Sequence, residues 1–169
     1  MLVPLRLKIN APNFFAVYYY TLLLHSYTRW AVLFSLLFAL YRGFSGRATG
    51  RAFGKTDDRA RVLAVTFSHL QLVIGFVLYF ISPVANYFWS GGSAGNASLE
   101  IVFFGLVHMA LMTTAIGVLS VGSALVKRAS SDHKKFSTLT VYFSIALLIV
   151  LLAVPWPFSP LAARPWFRV

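Results

Sequence analysis

Residues 101–126 read IVFFGLVHMALMTTAIGVLSVGSALV, with no Asp, Glu, Lys or Arg and a single histidine, His108. A helix crossing the hydrocarbon core of a bilayer needs about 20 mostly apolar residues. This stretch is long enough, and it lacks the every-second-residue alternation of a membrane-barrel strand. Its backbone groups would have to bond internally in lipid, which makes it a helix.

Three more segments outward from it meet the same test: 18–41, 62–88 with Pro83 near its end, and 136–154, closed by Pro155-Trp156-Pro157. The first is long, has aromatic flanks and lacks a small-residue cleavage pattern, so it reads as a span rather than a signal peptide. The loops between spans are short, and short loops make successive helices antiparallel neighbours. The expected fold class is all-α: an integral membrane, up-down-up-down four-helix bundle, one domain over residues 1–169.

Composition agrees. Of the 169 residues 59% are hydrophobic, 16 are Phe and only 11% are charged. A soluble domain of this size could not hide so much apolar surface, and a disordered chain would be polar. The net charge of +11 would suggest nucleic acid in a soluble protein. Here the cations cluster between apolar runs, where they set orientation and meet anionic lipid, so the expected surroundings are a lipid bilayer and no nucleic acid. The absence of cysteine excludes disulfides, thiolate metal sites, iron–sulfur clusters and covalent c-type haem attachment.

The basic residues divide unevenly. Arg42, Arg47, Arg51, Lys55, Arg59, Arg61, Lys127, Arg128, Lys134 and Lys135 flank the first and third loops, whereas the other side holds Arg6, Lys8, Arg164 and Arg168. The positive-inside rule puts the first and third loops in the cytoplasm and both termini outside. Tyr18, Tyr19, Tyr20, Tyr87, Trp89, Trp156 and Trp166 then form an aromatic belt on the outer side. Asp57 and Asp58 stand where acidic side chains suit the helix dipole.

Ionisable groups inside a span are costly and mark function by default. His25, Arg29, His69 and His108 fall within spans, and His133 lies in the third loop. With a rise of about 1.5 Å per residue, His25 sits about 25 Å above the basic border, His108 about 28 Å and His69 about 12 Å. His25 and His108 therefore share a level on different helices, where two imidazoles can grip one metal. Haem suits such a pair better than zinc or copper, which want three or more close protein ligands. Structural hydrogen bonding, proton transfer and quinone contact remain the alternatives. Arg29, one turn from His25, is placed to meet a haem propionate or a quinone oxygen. Met112 shares a face with His108 and is a reserve axial ligand. Gly75, Gly105, Gly117 and Gly122 allow close approach of a helix or a flat ring. A second haem between His69 and His133 requires the fourth helix to begin earlier than its apolar run.

Several short motifs carry a resemblance: His25-Ser26-Tyr27-Thr28-Arg29-Trp30, Ser68-His69-Leu70-Gln71-Leu72 with Gly75 to Phe80, Val107-His108-Met109 with Met112, Asp132-His133-Lys134, and Pro155-Trp156-Pro157-Phe158. In order and placement, over roughly residues 22–158, the chain resembles small four-helix membrane proteins of Bacteroidetes type labelled cytochrome b. The resemblance implies haem b, electron transfer and a bacterial inner membrane with both termini periplasmic. With the depths above, the expected cofactor-binding residues are His25, His108, His69, His133 and Arg29, the four histidines as iron ligands, for one haem or two. This sequence departs from the family pattern at Val107, where an acidic residue is frequent, and at Gly122-Ser123, where a second histidine is frequent.

The resulting expectation is a b-type cytochrome that exchanges electrons with quinol or a respiratory partner, an electron carrier rather than a hydrolase or transferase. The competing expectation is a non-catalytic membrane subunit of a larger respiratory or photosynthetic complex. A small transporter or channel would want an intramembrane carboxylate, and the spans hold none.

Overall fold

The structure, a computed structural model, describes residues 11–92 and 98–167. Arg6, Lys8 and Arg168 of the charge count lie outside these residues, as does the middle of the Gly/Ser/Asn-rich second loop. Among the described residues all regular structure is helical: α1 (Ala11–Thr49), α2 (Lys55–Ile81), α3 (Pro83–Tyr87), α4 (Leu99–Val102), α5 (His108–Arg128) and α6 (Asp132–Ala153). A wide five-residue π turn covers Phe103–Val107 and joins α4 to α5 as one rod, whereas the chain after α3 leaves helical geometry at Gly91, whose φ is +86°. Four rods, α1, α2, the α4–α5 rod and α6, are long and apolar enough to cross a membrane. α1 packs on α2 and α6, and α5 packs on the same two, so chain neighbours are neighbours around the bundle. This is the expected all-α bundle.

Lipid is the solvent of its outer face. Phe80 is 79% exposed and Leu152 68%, with Phe34 and Val73 also bare. The core is narrow and built from Leu36, Ala39, Ala64, Leu119, Leu139 and Phe143.

The helix ends differ from the apolar windows for local reasons. α1 overruns its window by two turns, through Arg42 and Arg47, and stops at Gly50, whose φ of +65° is the left-handed conformation that closes a helix. α2 begins at Lys55 because Asp57 Oδ2 accepts the Gly54 N–H at 2.9 Å, capping the first turn. It does not reach residue 88. Ser82 is extended, as a residue before proline prefers, and Pro83 starts a new short helix. α6 begins at Asp132, four residues before its apolar run, with Ser131 Oγ accepting the Lys134 N–H at 3.3 Å. Close approach of α1 to α6 depends on glycine: a Cβ on Gly46 would fall 2.3 Å from Phe136, and one on Gly43 2.7 Å from Leu139.

Candidate functional site between two histidines

α1, α2, α5 and α6 separate toward the end of the bundle opposite the basic loops. The cavity between them is lined by His25, Arg29, Gln71, Gly75, His108 and Met112, among others. It holds about 180 Å³ of space open to the centres of water molecules. That is smaller than the roughly 300–1,000 Å³ of small-molecule and cofactor pockets.

His25 and His108 face each other across this space, with ring centres 6.4 Å apart and planes at 71°. Two imidazoles sharing one ion from opposite sides would have ring centres about 6.3 Å apart, and ordinary edge-to-face ring pairs lie about 4.5–7 Å apart, so the spacing fits either arrangement. The equal heights expected from helix rise are met by rings in contact.

The environment of each ring is asymmetric. His108 Nδ1 lies 2.7 Å from the Ala153 carbonyl oxygen at the end of α6. A carbonyl only accepts, so Nδ1 carries a proton, and in the neutral ring Nε2 keeps its lone pair. Such an anchor on the far nitrogen is the usual arrangement behind a metal-bound histidine. The π turn before His108 helps to aim it. The His108 N–H reaches back five residues to the Phe103 carbonyl, and the Gly105 carbonyl accepts the Tyr79 hydroxyl at 2.6 Å. Trp89 Nε1–H in turn donates to the Tyr79 oxygen at 2.6 Å. On the other side, Gly75 stands against His25; a Cβ there would lie 3.2 Å from His25 Cε1. Gln71 Nε2–H donates to the His25 carbonyl at 2.9 Å, and its Oε1 meets the Thr28 hydroxyl, so α2 grips α1 at the histidine level.

Two guanidinium groups line the same cavity. Arg29 donates to the Trp166 carbonyl at 2.6 Å and lies beside the Trp30 and Trp156 rings. Arg164 pairs with Glu100 and covers the Phe104 ring at 4.8 Å. Both depend on the segment after α6, which returns along α1. Trp156 packs on Trp166 at 5.5 Å, and Phe167 stacks on Trp30 at 5.4 Å. Of the residues expected in an interfacial belt, Tyr19, Tyr20, Tyr87, Trp89 and Trp166 are exposed, and Tyr18 and Trp156 are half-buried, Trp156 packing on Trp166.

The second histidine pair is not brought together. His69 is exposed on α2, with Nδ1 2.8 Å from the Val65 carbonyl and Nε2 3.3 Å from Ser120 Oγ. α6 does begin early enough to make His133 helical, yet that side chain is exposed, and no contact joins it to His69 among the described residues. Also among these residues, no three His, Cys, Asp or Glu side chains converge on a metal position. The glycines divide by neighbour: Gly75 faces His25, Phe88 covers Gly105, Tyr142 covers Gly122, and Gly117 faces open space.

Tyr79, Gln71, Glu100 and Arg164 as parts of the site were not foreseen as such. Gln71, a lone amide in an apolar span, was the only one with a clear sequence signal. No family model, curated protein or solved structure matches the chain.

Proposed function

We propose that the protein is a b-type cytochrome of the bacterial inner membrane, holding one haem between His25 and His108. The observation that carries this reading is the 6.4 Å separation of the two rings at one cavity, with the far nitrogen of His108 tied to Ala153. Two protein nitrogens suit a metal that brings its remaining ligands with it, as an iron porphyrin does. The residues fit the group in other ways. Gly75 leaves room for the His25 ring, and Arg29 offers a cation for a carboxylate. When bound, haem supplies one-electron exchange at iron. The chain's own work is to fix His108 by its Nδ1–H bond, to hold α1 at His25 through Gln71, and to exclude water with the apolar wall around Met112. The reading takes one haem because the nitrogens of His69 are engaged by Val65 and Ser120 and His133 is exposed. Membrane quinol or a respiratory partner exchanges the electron, and the basic loops face the cytoplasm with both termini periplasmic.

The test is spectroscopic. Purified protein is expected to show a b-type reduced spectrum at one haem per chain. Both His25→Ala and His108→Ala are expected to abolish that spectrum, and His133→Ala to leave it intact. Stoichiometric, helical protein without a Soret band overturns the reading.

A second reading, a non-catalytic subunit of a larger complex, draws on the lipid-facing side of α5. Ala110, Thr113, Thr114 and Gly117 there are small and exposed, as in membrane helices that pack on a partner. Co-extraction with larger subunits in mild detergent supports it, whereas a stable isolated holoprotein counts against it.

A further inference from the structure

The opposite end of the bundle carries a separate site. Its cations fall into two groups among the described residues. Arg42, Arg51, Arg61 and Lys135 each bond an aspartate. Arg47, Lys55, Arg59, Lys127, Arg128 and Lys134 have no acidic partner there. Three of those six, Lys55, Arg59 and Lys127, converge on one cleft with Lys135, against the apolar side chains of Phe53 and Val126. The only carboxylate lining the cleft is Asp58, which already accepts Arg61 Nε and Nη2 at 2.9 and 2.6 Å. The cleft forms because the start of α2, the end of α5 and the start of α6 meet there.

We propose that this cleft binds the phosphodiester headgroup of an anionic phospholipid. Charge is the first argument: three cations without partners and a fourth close by face a space whose one acid is neutralised. Position is the second. One turn along α2 from Arg59 the exposed residues are Val62 and Leu63, and one turn back along α5 from Lys127 the exposed residue is Ala124. A phosphate in the cleft therefore has an apolar wall in the direction its acyl chains must run. Basic pockets between membrane helices at the headgroup level hold anionic lipid in this way. Inorganic phosphate shares the charge but has no use for that wall.

The test uses the full chain in neutral-detergent micelles, with lipid retained per protein counted by native mass spectrometry. Phosphatidylglycerol is expected to be retained at one per chain and phosphatidylcholine to be lost. A basic side chain near an anionic headgroup is worth roughly fivefold in affinity, so Lys55→Gln/Arg59→Gln/Lys127→Gln is expected to weaken retention on the order of 100-fold. The control Arg47→Gln/Arg128→Gln/Lys134→Gln removes the same charge away from the cleft and is expected to change retention by less than about threefold, the residue of a diffuse field. Equal loss in the two triples overturns the site, as does equal retention of the two lipids. Displacement of phosphatidylglycerol by excess inorganic phosphate overturns the lipid assignment. Circular dichroism checks that both triples keep full helicity; if the cleft triple does not, Lys127→Gln alone replaces it, with a loss of roughly fivefold expected. None of these outcomes depends on haem.

Discussion

The two ends of the bundle solve opposite problems. At the basic end Asp57 is fully buried and receives Arg42 Nε at 2.8 Å, Arg51 Nη1 and Nη2 at 2.6 and 2.7 Å, and the Gly54 N–H at 2.9 Å. These bonds raise the pKa of Arg51. Arg61 is buried too, bonded to Asp58 and to Ser123 on α5. Gly43 and Gly46 bring α1 against α6. At the histidine end α2 is broken at Ser82, a π turn replaces α-helix at Phe103–Val107, and a cavity stands where a core would be. A bundle cannot close-pack along its whole length and also keep a slot. Clamping one end lets the other stay open without the helices collapsing on each other.

The comparison breaks if the clamp is not the stabilising end. The largest effect is expected at Asp57. Asp57→Ala leaves Arg42 and Arg51 facing each other without their shared carboxylate, and removing one member of a buried ion pair costs about 3–5 kcal/mol. Unfolding in mild detergent is expected to show that loss, whereas His108→Ala, at the open end, costs about 1–2 kcal/mol, the worth of its hydrogen bond and partial packing. Equal losses at the two positions would remove the distinction. Next in size is Gly46→Ala. Its Cβ falls 2.3 Å from Phe136, an overpacking that costs about 1–3 kcal/mol. Gly117→Ala meets open space and is expected to be neutral or stabilising by up to about 1 kcal/mol, since alanine is the better helix former. The same melt ranks the pair.

What could be read from the sequence was what a helix measures out by itself. Four apolar runs set the number of rods, and a fixed rise per residue set His25 and His108 at one height. Azimuth was harder. His69 sits in as apolar a run as His108, yet one faces lipid and the other the cavity, because the direction depends on which neighbour each helix meets. The π turn before His108 changes its azimuth, and nothing in Phe103 to Val107 announces it. Helix ends were missed where polar contacts extend them: α1 runs past Tyr41 because Arg42 is bonded to Asp57 and Gly43 and Gly46 pack on α6. The return of residues 156–167 along α1 has no periodic signature. It rests on aromatic contacts distant in sequence, such as Trp30 with Trp156, Trp166 and Phe167.

Tyr79→Phe sharpens the description of the open end. It removes the hydroxyl that donates to Gly105 and accepts from Trp89, for a net cost of about 1 kcal/mol. Its larger consequence is expected at His108, three residues beyond Gly105. With the π turn released, the Phe103–Val107 amides should exchange hydrogen faster while the α6 amides do not. Unchanged exchange at Phe103–Val107 would mean that the turn is held by its own packing.

The smallest expected change in stability, and the most direct probe of the cavity wall, is Gly75→Ala. Alanine gains up to about 1 kcal/mol of helix preference over glycine. Against this stands a Cβ 3.2 Å from His25 Cε1, a contact that asks the ring to give by a few tenths of an ångström. The two terms nearly cancel, so the melting temperature is expected to stay within a few degrees of wild type. The ring position cannot stay. On the reading of His25 and His108 as a facing pair, any shift of one ring lengthens or tilts its bond to the shared metal, and haem affinity falls several-fold with helicity intact. On that reading His25→Ala loses a ligand, whereas Gly75→Ala keeps both and alters only their spacing. A variant with wild-type melting and wild-type haem affinity would show that His25 does not rest on this wall and that the 6.4 Å spacing has slack. A variant with weakened haem and an unmoved melt would tie the spacing of the two rings to one missing methyl group on α2.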